Sequence, residues 1–319
     1  MADLVIDFAS TDSTQPPDLD KAKAAGMRIA VARAIYTDRA GKLAHDPNWE
    51  LNKDRFGPAG VKSSGYLFLT FPTSAQPSVP MPEAQAEAMH AYCQLDPNRG
   101  NYPPIIDVEQ DTSIMSFAQK IAWVNRAIKR LWELYGVLPI VYSGDRVWIE
   151  VLGNPSKAKA GLLGMCMMWI AKPWPWATRT VIHLDGAPNW QPNTIEALGD
   201  GTFWLWYQYQ GDALKMPGFP AAVDASRVGP VIKRGNKGTI VAFIQQTLGA
   251  IVDGDFGPAT EKAVKTFQAA SGLTADGLVY VDTWQKLLWK VQPPGSYDPA
   301  KDPTLGDIAT GRTVIAPGA

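Results

Sequence analysis

Through the first 170 residues, short apolar runs alternate with helical stretches, and this order restricts the fold more than any other feature of the chain. The runs are Leu4 to Ala9, Arg28 to Tyr36, Ser64 to Phe71, Pro104 to Val108, Leu138 to Ser143 and Met168 to Ala171. Helical patterns fill several gaps, at Asp18 to Ala25, at Glu83 to Leu95, and after Ser116. In the last of these Phe117, Ile121, Val124, Ile128, Leu131, Trp132 and Tyr135 recur at helical spacing, Ser116 and Gln119 fit a capping box, and Gly136 supplies the stop. Strands joined by helices pair in parallel. Leu205 to Tyr209 and Ala222 to Asp224 then follow with little helical pattern, giving eight strands in all. The expected class is α/β, a TIM-like (β/α)5(β)3 barrel. Between Tyr36 and Ser64 the chain reads as a polar excursion without an element of its own.

Three of these strands end in acid. The fourth runs Ile105-Ile106-Asp107-Val108-Glu109, and alternation along a strand puts Asp107 and Glu109 on one face. Asp7 closes the first strand and Asp224 the eighth, and in a closed barrel the eighth strand lies beside the first. Taken alone, an Asp-x-Glu triplet is most often surface decoration. Four carboxylates around one barrel mouth are a different matter, because crowded acids raise one another's pKa and so separate a proton donor from a charged partner. Tyr66, Tyr142, Trp169, Trp206, Gln208 and Tyr209 lie on the same strands and suit a groove for sugar rings. Arg33, in an otherwise apolar run, is either a counterion to the acids or a residue at an exposed strand end. The combination points to glycoside hydrolysis.

Other chemistries lack their residues. A net charge of −1 leaves no basic excess for a phosphate backbone, so nucleic acid is not an expected partner. His45, His90 and His183 show no metal-ligand spacing, and no cofactor is expected. Cys93 and Cys166 read as buried thiols, Cys93 falling late in a helix rather than at the helix start where a thiolate is stabilised. No run reaches the ~18 apolar residues of a membrane span, and with no basic and apolar stretch of signal-peptide length ahead of Leu4, no leader is expected. The expectation is a monomer made in the cytoplasm, with any export assisted.

Composition shifts at Val228. Gly238 to Leu248, Pro258 to Ala270 and Val281 to Lys290 read as three short helices, with Asp253, Asp255 and Phe256 in a turn-rich loop between the first two. The expected domains are therefore 1–228, 229–291 and a Pro- and Gly-rich tail, 292–319.

The motifs Val5-Ile6-Asp7 with Ser10, Gly65-Tyr66-Leu67-Phe68, Ile106-Asp107-Val108-Glu109, Trp169-Ile170-Ala171, Gln208-Tyr209 and Val223-Asp224 make residues 1–228 resemble the glycoside hydrolase family 25 lysozymes, the Chalaropsis-type muramidases. The resemblance implies a lysozyme that cuts the β-1,4 bond between N-acetylmuramic acid and N-acetylglucosamine in peptidoglycan. It makes Glu109 the proton donor, gives Asp107 the substrate's N-acetyl group to hold, and leaves Asp7 and Asp224 to shape the site. Asp253-Gly254-Asp255-Phe256-Gly257-Pro258, with Phe267-Gln268, Asp276-Gly277 and Thr283-Trp284, makes the C-terminal part resemble peptidoglycan-binding domain type 1. That implies wall binding through Asp253, Asp255 and Phe256, although the same residues also serve as turn formers and core. The rival is a wall-binding protein whose barrel has lost catalysis.

Overall fold

The computed structural model describes residues 3–9, 15–110, 113–144, 146–153, 155, 160–171, 204–229 and 231–291. Nine strands form one sheet: β1 (Leu4–Phe8), β2 (Met27–Thr37), β3 (Leu43–His45), β4 (Lys62–Phe68), β5 (Ile105–Asp107), β6 (Ile140–Gly144), β7 (Met167–Ala171), β8 (Trp204–Leu214) and β9 (Val223–Val228). Eight of them pair in a ring, from β1 through β2, β4, β5, β6, β7 and β8 to β9 and back to β1. Neighbours are parallel from β1 round to β8, whereas β9 runs antiparallel to both β8 and β1. The chain is thus a mixed α/β barrel, as its strand and helix order predicts. Strands walled in on both faces need continuous apolar sequence, and Ile29 to Ala32 and Ile105-Ile106 are fully buried.

Helices α1 (Leu19–Ala24), α2 (Pro47–Phe56), α3 (Pro82–Cys93) and α4 (Phe117–Tyr135) occupy the crossovers, with a π turn at Val147–Val151 and a 3-10 turn at Gly161–Met165 before β7. The capping box at Ser116 and Gln119 forms, and Gly136 ends α4 in the left-handed region. The supposed polar excursion after Tyr36 is a correction. It holds β3, antiparallel to β2 and outside the ring, and then α2, capped by Asp46 with Pro47 at its first position.

The C-terminal part has three helices, α5 (Thr239–Leu248), α6 (Pro258–Ala270) and α7 (Val281–Leu288). It repeats one device. Gln245 Nε2 donates to Asp253 Oδ1, the Asp255 carbonyl and Thr260 Oγ1, while its Oε1 accepts from the Gly254 amide. Gln268 Nε2 donates to Asp276 Oδ1, the Leu278 carbonyl and Thr283 Oγ1, while its Oε1 accepts from the Gly277 amide. Each glutamine is about 1% exposed, a buried amide with its hydrogen bonds made.

Helix α7 meets the barrel at the N-terminal ends of its strands. Gln285 and Trp289 both donate to the Asn101 carbonyl, at 2.6 and 2.7 Å, and Tyr102 Oη donates to the Val281 carbonyl at 2.8 Å. Lys286 reaches the Pro97 carbonyl, Lys62 pairs with Asp282 at 3.0 Å, and the Leu138 amide donates to Val291.

Candidate active site

Backbone contacts that continue past the end of β5 hold the acidic segment. Asp107 is the last residue of the strand, in register with Phe68 on one side and Tyr142 on the other. Beyond it the Val108 amide donates to the Tyr142 carbonyl, and Ser143 Oγ donates to the Val108 carbonyl. Gln110 then clamps Phe71 by both main-chain groups, at 2.8 and 3.1 Å. Glu109 is held between these two anchors, outside the strand proper, with its side chain exposed.

On the far side of the mouth Asp7 and Asp224 are direct partners in the β1–β9 ladder. Gln208 Nε2 donates to Asp224 Oδ2 at 2.7 Å, and Tyr142 Oη donates to Gln208 Oε1, so one glutamine links the two walls. Trp169 donates through Nε1 to Ser226 Oγ and stands edge-on to Tyr142, ring centres 4.7 Å apart. Asp7, Tyr66, Asp107, Glu109, Tyr142, Trp169 and Asp224 line one pocket of about 60 Å³.

Electrostatics single out Asp107. Asp107 is 6% exposed, and burial holds its carboxyl well above the usual carboxylate range. Glu109, Asp7 and Asp224 add their charges in the same direction, while the Arg33 guanidinium opposes them. Burial, with Asp107, Asp7 and Glu109, pushes the Tyr66 and Tyr142 hydroxyls up, so both stay protonated as donors.

Several expected site residues have other places. Arg33 donates from Nε to Asp46 Oδ2 at 2.9 Å, which ties it to the buried N-cap of α2, and its charge also favours the ionised form of Asp107. Trp206 is fully buried, edge-on to Tyr102 and Trp169; it braces the wall from behind and has no face free for a sugar. Gln208 is 4% exposed and serves Asp224 and Tyr142. The side chain of Tyr209, and Ser10, lie outside the described residues. In the C-terminal part Phe256 is fully buried in the core, which corrects its assignment to a wall-binding surface. Asp253 receives Gln245 and the Asp255 amide, and Asp255 pairs with Lys237 at 2.7 Å. Sequence reasoning missed Asp46, whose signal was its place directly before Pro47.

Among the described residues no group of three or more His, Cys, Asp or Glu has the arrangement of a metal site. Cys93 and Cys166 are buried, and burial pushes both thiols up, away from nucleophilic form.

With this geometry in hand, comparison with known structures is decisive for the architecture. The barrel has the lysozyme fold seen in glycoside hydrolase family 25. A bacterial lysozyme from Streptomyces coelicolor superimposes with a TM-score of 0.55 at 18% identity, over 72% of this chain and 93% of that one. A family GH25 lysozyme from Aspergillus fumigatus gives 0.52 at 16%, over 72% and 95%. The spore cortex lytic enzyme SleM of Clostridium perfringens gives 0.54 at 18%, over 74% of each. Residues 242–287 match the peptidoglycan-binding domain family. Comparison with curated protein sequences finds no match.

Proposed function

We propose that the protein is a peptidoglycan hydrolase, a muramidase that cleaves the β-1,4 bond between N-acetylmuramic acid and N-acetylglucosamine, with its C-terminal part holding the wall. The observation that carries this reading is the convergence of Asp7, Asp107, Glu109 and Asp224 with Tyr66, Tyr142 and Trp169 in one pocket. Two further observations support it: the lysozyme fold of the barrel and the match of residues 242–287 to a wall-binding family.

Glu109 is the acid in this reading because its exposed carboxyl meets a glycosidic oxygen at the pocket rim. Recessed behind it, Asp107 holds the substrate's N-acetyl group, and its environment lets it stay protonated until charge develops there. Asp224 is fixed by Gln208, and Asp7 beside it completes the negative mouth that an oxocarbenium-like transition state requires.

The test is the chemistry of the product. Digestion of purified walls should create new reducing ends on muramic acid and no new free amines. Amines without reducing ends would indicate a peptide-bond hydrolase, and binding without any clearing of the wall suspension would favour the non-catalytic rival.

A further inference from the structure

A second cavity, larger than the one at the acids, lies elsewhere on the barrel. It measures about 430 Å³ and lies against the other pole of the barrel, between α2, the start of β4 and the 3-10 turn Pro97–Arg99. Lys53, Lys62 and Arg99 line it, against a single lining carboxylate, Asp54. The anions that pair with Lys53 and Lys62, Glu50 and Asp282, stand outside the lining. Gly57, Gly60 and Gly100 also line it, and a Cβ on Gly57 would come within 3.3 Å of the Arg99 carbonyl.

Helix α7 contributes a further cation at the edge. Lys286 donates to the Pro97 carbonyl and stands 3.4 Å from Asn98 Oδ1, and Asn98 is itself a lining residue. Burial and the Lys62 charge disfavour the ammonium of Lys286 while Asp96 favours it, and Lys53 and Lys62 keep their ion pairs with Glu50 and Asp282. Cations on three separate elements around one cavity suit a short ligand with more than one carboxylate.

We propose that this cavity is a second substrate site that takes the carboxylates of the peptidoglycan stem peptide, where the barrel and the wall-binding part meet. The proposal rests on the wall-hydrolase reading for the identity of its ligand. It gives the hydrolase a grip on peptide at one pole while the acids work on glycan at the other.

Calorimetry on the full-length protein tests it with a synthetic stem pentapeptide bearing free carboxylates, its fully amidated counterpart, and a glycerol phosphate oligomer. The acid peptide should bind at least tenfold more tightly than the amide. Arg99→Ala and Lys53→Ala should each erase most of that difference while leaving the circular dichroism spectrum unchanged, and added salt should weaken binding. Arg99 is exposed, so its loss is not expected to disturb folding, and Lys53→Ala provides the second reading. Equal affinity for acid and amide, undiminished binding by both variants, or preference for the phosphate oligomer overturns the proposal. Glycan cleavage is scored separately, so peptide binding without cleavage would sink the hydrolase and spare the site.

Discussion

Asp107 shows what a single side chain costs the fold when its place is chosen for chemistry. Its folded pKa lies above the ordinary 3.8, so the favourable contribution of its protonated form is complete below that value and is lost as pH rises through the folded pKa. Asp107→Asn has no such dependence. The variant should therefore gain stability over the native protein as pH climbs above ~4, by about 1.4 kcal/mol per pH unit until the folded pKa is passed. Melting curves from acid to neutral pH check this, and parallel curves would refute the burial argument. Glu109→Gln keeps the shape of the rim but removes the transferable proton, so wall lysis should fall by at least ~10² with wall binding retained. Turbidity and co-sedimentation read the two quantities separately. All seven pocket residues were visible in the sequence, because strand-end carboxylates and strand aromatics betray themselves by position. Trp206 and Phe256 were not placed correctly, since an aromatic on a strand or in a turn carries no mark of which way it faces. Arg33 pairs with Asp46, 13 residues on, in a stretch with no apolar periodicity, where only the Asp46-Pro47 step marks a helix start.

At the scale of elements, the twin glutamines bear the most weight for their size. Gln245 and Gln268 each bind a helix to the loop that follows it, and a leucine at either place would strand several buried donors and acceptors. Each of Gln245→Leu and Gln268→Leu should cost at least ~1–3 kcal/mol, and denaturant titration should show similar losses for the two. A harmless substitution at one site would mean that the two halves do not use the device alike. The glutamines, the Asp-Gly pairs and the threonines all recur 23 positions apart, as the sequence shows once the hydrogen bonds direct attention to it. Phe256 and Val279 occupy matching places in the two halves, so residue identity hides a likeness that geometry displays. Strands and long helices were legible because continuous apolar runs and a capped stripe have few alternative explanations. Helix α2 was not, because its inward face is made by Asn48, Trp49, Asn52 and Phe56, with Leu51 exposed. Half of that face is polar, and no periodicity of apolar residues remains to be read.

For the molecule as a whole, α7 is attached to the barrel more firmly than its distance along the chain suggests. Buried Gln285 and Tyr102 each place a hydrogen bond across the junction, and both would lose a partner if the C-terminal part were absent. The full chain should therefore unfold in one calorimetric transition. Ending it near Gly229 should lower the melting temperature of the barrel, and two well-separated transitions in the intact chain would contradict this. The two poles then acquire a mechanical meaning. Acids open at one end of the barrel, and the part matched to wall binding is fastened to the other. On the muramidase reading, the span between grip and blade is set by folded protein rather than by a swinging leash. The enzyme would then cut at a fixed reach from its foothold rather than anywhere a flexible tether could carry it.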